Sequence, residues 1–202
     1  YKLSGLALWC CVAWVEISLL DLLGKQVNQS VGQLLDLRGD DPQQDSQYAN
    51  KQQNIPIYLS SLRRDTTPEE EVAWVGDRIP ALGASAIEIG HMLESYGVSF
   101  FEEPCPFDDF EATEQVTKAL KLSVTGGEQE TSFARFKHLI HRRVVKVLQP
   151  DIVYNGGFIR TLRVAQVAAI AQMPVTIHNA RLGVDPIYMA QFARFLPGNY
   201  QE

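Results

Sequence analysis

Three observations predict an α/β chain whose core is a (β/α) TIM-type barrel, incomplete, with about six strands readable. Glu102, Glu128, Asp151, His178 and Glu202 recur at gaps of 26, 23, 27 and 24 residues. The first four close short apolar runs, VSFFEE, LSVTGGE, VVKVLQPD and PVTIH. Each run leads into a stretch with helical patterning. A repeat of about 25 residues is one strand–helix unit, and polar residues at the carboxyl ends of successive parallel strands are where such a barrel carries its chemistry. The five side chains are therefore expected to converge at one mouth.

The elements follow in order. Leu3 to Val15 is the most apolar segment of the chain. It reads as the start of a buried helix running to about Leu23, with Gly24 as its C-terminal stop. The apolar stretch is shorter than the ~20 residues a bilayer span needs, so no membrane segment is expected. Glu16, Asp21 and the lack of a small-residue cleavage site speak against a signal peptide. Residues 36–54 are polar and aperiodic and read as a linker. IPIYLSS (55–61) reads as a buried strand. Thr66-Thr67-Pro68-Glu69-Glu70-Glu71 has the cap, proline and acids of a helix start. Ala86 to Tyr96 is a second helical pattern, with Gly97 as its stop. Strands and helices then alternate: VSFFEE with helix 109–121, LSVTGGE with 132–143, VVKVLQPD with 158–172, PVTIH with 186–195. The Val-, Ile- and Phe-rich runs lack strict alternation, as expected of parallel strands covered on both faces. The rhythm breaks once, between strands 55–61 and 98–103, where two helical segments follow one another with no strand between. A segment is therefore expected to be missing near residues 86–87, with a break in the chain between Ala86 and Ile87.

Composition narrows the function classes. Hydrophobic residues make up 46% and charged residues 21%, an ordinary globular balance. The formal net charge of −6 disfavours a nucleic-acid groove, which needs clustered cations. Three cysteines, two of them adjacent, suggest no disulfide framework and point to a reducing, cytoplasmic compartment.

The motifs FFEEP (100–104), GGEQE (126–130), QPDIVYNGG (149–157) and TIHN (176–179) resemble, in that order, the enolase superfamily, specifically its mandelate racemase and muconate-lactonizing enzyme branch, in an apparently incomplete form. VAWVEISLLDLLGK (12–25) resembles the helix closing that family's capping domain. The resemblance implies residues 1–54 as the end of a capping domain and linker, and 55–202 as the barrel. It also implies Mg²⁺ held by three strand-end carboxylates, of which Glu102 and Glu128 match the second and third. The first ligand and the family's K-x-K base motif have no match here, and both belong to the stretch that is expected to be missing. His178 matches the family's acid/base histidine and Asp151 its partner. Glu202 matches a last-strand glutamate that hydrogen-bonds substrate, and Glu103 a group supporting the metal from behind.

Acid-sugar dehydratases carry this pattern most fully. The resemblance thus implies a Mg²⁺-dependent dehydratase that removes the proton alpha to a carboxylate and expels the beta hydroxyl. Racemisation or epimerisation of 2-hydroxy acids stays open, as does a non-catalytic truncated relative. The expected partner is a small carboxylate substrate, without nucleic acid or membrane, in a chain of this branch that is often a homo-oligomer. Gln129 and Glu130 are expected to line the mouth. His138 and His141 are read as an exposed helix face, and Cys105 is given no role.

Overall fold

A computed structural model describes residues 5–35 and 86–196. The expected strand 55–61, the helix begun at Thr66 and Glu202 lie outside these residues. The described elements are α1 (Leu6–Val27), α2 (Val31–Leu34), α3 (Ala86–Ser95), β1 (Phe100–Glu102), α4 (Phe110–Ala119), β2 (Ser123–Gly126), α5 (Phe133–Arg142), β3 (Val147–Leu148), α6 (Phe158–Ile170) and α7 (Asp185–Ala193). From β1 to α6, strand and helix alternate as the sequence predicts, whereas the expected strand PVTIH before α7 makes only isolated parallel bridges. The result is an α/β fold on a parallel sheet.

The sheet order is β1-β2-β3. Phe100 pairs with Ser123 and Glu102 with Thr125, while Thr125 pairs with Val147 and Gly126 with Leu148, all in parallel. The run PVTIH extends the sheet through two parallel bridges, Leu148 to Val175 and Asp151 to His178. Strands are shorter than the apolar runs that predict them. Pro150 and Pro174 carry no N–H and interrupt the ladder, yet their carbonyls still serve it: His178 N donates to Pro150 O at 3.2 Å and Leu148 N to Pro174 O at 2.9 Å.

Two apolar clusters hold the molecule together. One lies between sheet and helices: Val124, Phe136, Leu139, Ile140, Val144, Val145, Leu148, Val164 and Met173 are buried together. The sequence puts Phe136, Leu139 and Ile140 at the three- and four-residue spacing that lines one helix face. The opposite face of α5 carries His138 and His141, both exposed as expected. The second cluster joins α1 to α6 and α7 through Ala13, Ile17, Ile152, Val153, Phe158, Leu162, Met189 and Phe192.

Two expectations are corrected here. First, α1 is not a buried helix ending near Leu23. It continues to Val27, Asn28 forms its left-handed cap, and only Ala13, Ile17 and Gly24 are buried. It is 22 residues long with a mean hydropathy of 1.9 over an 18-residue stretch, long and apolar enough to cross a membrane by length and composition. In this fold it instead lays its Ala13/Ile17 face on α6 and α7. Val15, Leu19 and Leu22 on its other side are exposed. Helical periodicity extended the element past the apolar run because Asp21, Lys25 and Gln26 are compatible with a helix, and Lys25 pairs with Asp21 at 2.6 Å. Second, Ala86 and Ile87 are consecutive residues of one continuous helix, so no break separates them.

Glu94 ties α3 to the sheet. Its Oε1 accepts the backbone N–H groups of Lys121 and of Leu122, the latter at 3.0 Å, and Oε2 meets His91 Nδ1 at 3.0 Å. Gly97 turns the chain out of this helix at φ +73°, where a side chain would be strained. The hydrogen bond from His91, followed by those from Leu122 and Lys121, holds the Glu94 carboxyl at about 2, below its ordinary 4.5. A depressed carboxylate stabilises the fold above its unfolded-state pKa and stops doing so as pH falls through the folded value. The stability difference between wild type and Glu94→Gln is therefore expected to be full at pH 6 and to shrink between about pH 4.5 and pH 2. Urea titrations across that range check it, and a pH-independent difference would refute it.

Candidate active site

Because the strands are parallel, their carboxyl ends share one edge of the sheet. Glu102 is the last residue of β1, Glu128 follows β2 by two positions, and Asp151 and His178 face each other across a bridge. Three of these four make direct contacts. His178 sits between two acids: its Nδ1–H donates to Asp151 Oδ2 at 3.0 Å and its Nε2–H to Glu128 Oε2 at 2.9 Å. Glu102 joins them through its charge. Its carboxyl is pushed up by partial burial first and by the Glu128 charge second, with His178 opposing. Glu103, next in the chain and at a strained φ of 42°, is pushed up by the same two causes. Its Oε1 is buried and makes no hydrogen bond.

Burial alone would depress the His178 imidazolium, but the hydrogen bonds to Asp151 and Glu128 outweigh it and hold the pKa at about 9. The ring is therefore protonated at neutral pH and carries the positive charge between two carboxylates. Asp151 is fully buried. Burial pushes its carboxyl up, yet the hydrogen bonds from His178 and Arg181 prevail and keep it below the usual aspartate range.

Arg181 was not singled out in the sequence. Its Nη2 contacts both Asp151 oxygens, at 2.8 and 2.9 Å, and its Nε donates to Asp185 Oδ2 at 2.8 Å. The signal available was modest: a cation three residues past a strand-end histidine, placed so that the loop can fold it back. Asp185, Arg181, Asp151, His178 and Glu128 thus form a chain of alternating charge.

Other expectations resolve differently. Glu130 does not point into the mouth. It is buried, accepts the N–H groups of Thr131 and Ser132 at 2.8 and 2.7 Å, and pairs with Arg135, so it organises the start of α5. Gln129 lines a cavity with Glu103, Cys105, Thr125 and Glu130. Asn155-Gly156-Gly157 forms the turn into α6, where Gly157 has φ +111°. The carboxylate of Glu16 on α1 lies against Gly157 and accepts Ile159 N–H at 3.3 Å, at the positive end of α6. Trp9, also on α1, stacks on Arg160 with 3.6 Å from guanidinium carbon to ring centre. α1 therefore packs against the N-terminal end of α6.

Among the described residues, no group of three or more His, Cys, Asp or Glu side chains is arranged to hold a metal ion. Glu102, whose charge the neighbouring Glu128 makes costlier, and Glu128 itself are nonetheless the donor chemistry a hard divalent cation prefers.

A parallel strand–helix repeat with acid–imidazole–acid contacts at its strand ends defines the class of chain. Residues 81–201 match the family described as Enolase C-terminal domain-like, and the chain belongs to that family. It is 26% identical over 102 residues to the arabinonate dehydratase of Saccharolobus solfataricus, covering 50% of this chain and 27% of that protein. It is 29% identical over 122 residues to the L-talarate/galactarate dehydratase of Salmonella typhimurium, covering 56% and 30%. A solved structure from Roseobacter denitrificans, provisionally assigned as a racemase, superposes with a TM-score of 0.72 at 30% identity. That match covers 98% of this chain and 64% of the other. The chain thus spans less than a third of the length of these curated relatives.

Proposed function

We propose that this chain carries the proton-handling part of a sugar-acid dehydratase. The observation that supports it most is the His178 ring held by Asp151 on one nitrogen and facing Glu128 with the other. The dehydratase names of the relatives favour this reaction over others of the family. In it, the carbon next to the substrate carboxylate loses its proton and the neighbouring carbon loses its hydroxyl as water, leaving a 2-keto-3-deoxy acid.

Asp151 fixes the ring with Nδ1 turned inward, so the chemistry falls to Nε2. An imidazolium that keeps its proton to about pH 9 is an acid at neutral pH, suited to protonating the departing hydroxyl. Nε2 can accept a proton only after leaving Glu128. Glu102 and Glu128 would hold Mg²⁺, which when bound supplies positive charge to the substrate carboxylate. Glu103 would back these ligands, and Glu202 would hydrogen-bond substrate. The barrel, its capping-domain helix α1 and a cytoplasmic setting belong to the same proposal.

Two carboxylates order an octahedral ion poorly. Calorimetric titration of this chain with Mg²⁺ is therefore expected to give a dissociation constant weaker than about 1 μM. Micromolar or tighter binding would mean a third ligand outside the described residues. The reaction itself is tested by incubating the protein with a library of sugar acids and Mg²⁺ and assaying 2-keto-3-deoxy acids. Accumulation of an epimer without keto acid would replace dehydration by racemisation, in line with the Roseobacter denitrificans neighbour.

A further inference from the structure

We propose that Arg181 is a positioning residue, which holds the Asp151 carboxylate in the one orientation that presents Oδ2 to the His178 ring. The proposal rests on the reading of His178 as the proton-handling group. Its basis is the set of contacts Asp151 makes among the described residues. Oδ1 accepts Val153 N–H at 2.8 Å, Tyr154 N–H at 2.9 Å and Arg181 Nη2 at 2.8 Å. Among the described residues, Oδ2 accepts His178 Nδ1 at 3.0 Å and Arg181 Nη2 at 2.9 Å. The backbone amides fix one oxygen, and a single guanidinium nitrogen, Nη2, sits between both while Nε is held by Asp185. Rotation of the carboxylate about its Cβ–Cγ bond would break the Arg181 contacts on both oxygens together.

Arg181 is itself held in place by three further constraints. Asn179 closes a small loop, accepting Arg181 N–H at 3.2 Å and donating its Nδ2–H to Arg181 O at 3.0 Å. Asp185, buried in the first turn of α7, takes Nε–H at 2.8 Å. The Tyr154 ring lies 5.2 Å from the guanidinium carbon, and its centre is 6.3 Å from that of the His178 ring. A planar guanidinium in a fixed frame transmits orientation, where a lysine ammonium would supply charge alone. The docking of α7 is thereby linked to the orientation of the imidazole.

A purely structural ion pair would lower stability when broken and leave the ring unaffected in the folded state. The two roles separate by NMR of the His178 ring in the ¹⁵N-labelled protein, which has four histidines to resolve. Asp151→Asn serves as the reference for a broken pair. Arg181→Leu and Arg181→Lys, measured well below their unfolding temperatures, are expected to lose the exchange-protected Nδ1–H resonance of wild type. On a turned-over sugar acid they are expected to lower kcat about 10–100-fold with KM changed far less. Persistence of the Nδ1–H resonance in folded Arg181→Lys, with only a lower Tm, would overturn the proposal. If Arg181→Leu does not fold, Arg181→Lys alone decides, because it keeps the charge and removes the planar fork. The ring signal reads Arg181 even if no sugar acid is turned over, so failure of the dehydratase reading is scored separately.

Discussion

Asp151→Ala is expected to cost about 3–5 kcal/mol of folding stability, the range for removing one partner of a buried ion pair. The carboxylate is fully buried and serves four partners: His178, Arg181 and the N–H groups of Val153 and Tyr154. Its removal leaves the buried Val153 amide and the half-buried Tyr154 amide without this acceptor, and two cations short of a counter-charge. Glu128 and Asp185 still reach those cations, which keeps the loss within this range. Against a typical domain stability of about 5–15 kcal/mol, the effect is a large share of the total. Equilibrium urea unfolding checks it. A loss below about 1 kcal/mol, the level of an exposed ion pair, would show that Asp151 is not buried as described.

His178→Gln carries the largest expected effect on chemistry. Glutamine keeps a hydrogen-bonding side chain of similar reach but cannot exchange a proton near neutral pH. A positioned acid or base contributes about 10²–10⁴-fold, so formation of 2-keto-3-deoxy acid is expected to fall by that factor. Stability should fall less than for Asp151→Ala, because the imidazole is partly exposed and its two acid neighbours keep other partners or solvent. Single-turnover rates of wild type and variant on the same substrate measure the loss. A variant within threefold of wild type would remove His178 from the reaction.

How much of this was legible in the sequence follows from which signals are periodic. The spacing of Glu102, Glu128, Asp151 and His178 marks strand ends because one strand–helix unit has a nearly constant length. The alternation from β1 to α6 was readable for the same reason. Strand lengths were less so: Pro150 and Pro174 shorten the regular ladder while their carbonyls still take part in it. The exposure of α1 was not readable. An apolar run signals burial, but burial depends on which neighbours meet each face, and only Ala13, Ile17 and Gly24 are covered. Nearness to Glu128 predicts Glu130 at the mouth, whereas the start of α5 needs an acceptor and takes it. Arg181 escaped notice because its place is set by a loop closed through Asn179 and by a partner thirty residues away, neither of which leaves a period in the chain.

The most direct test of the central reading, that the His178–Asp151 pair handles a proton in the loss of water from a sugar acid, follows the reaction in deuterated solvent. Sugar acids are incubated with the protein and Mg²⁺ in D₂O, and both recovered substrate and products are followed by ¹H NMR. Wild type is expected to consume at least one sugar acid, losing its α-proton, with deuterium entering C3 of a 2-keto-3-deoxy product, and His178→Gln to form that product about 10²-fold or more slowly. Wild type that leaves every α-proton in place, or His178→Gln that matches wild type, would contradict the account.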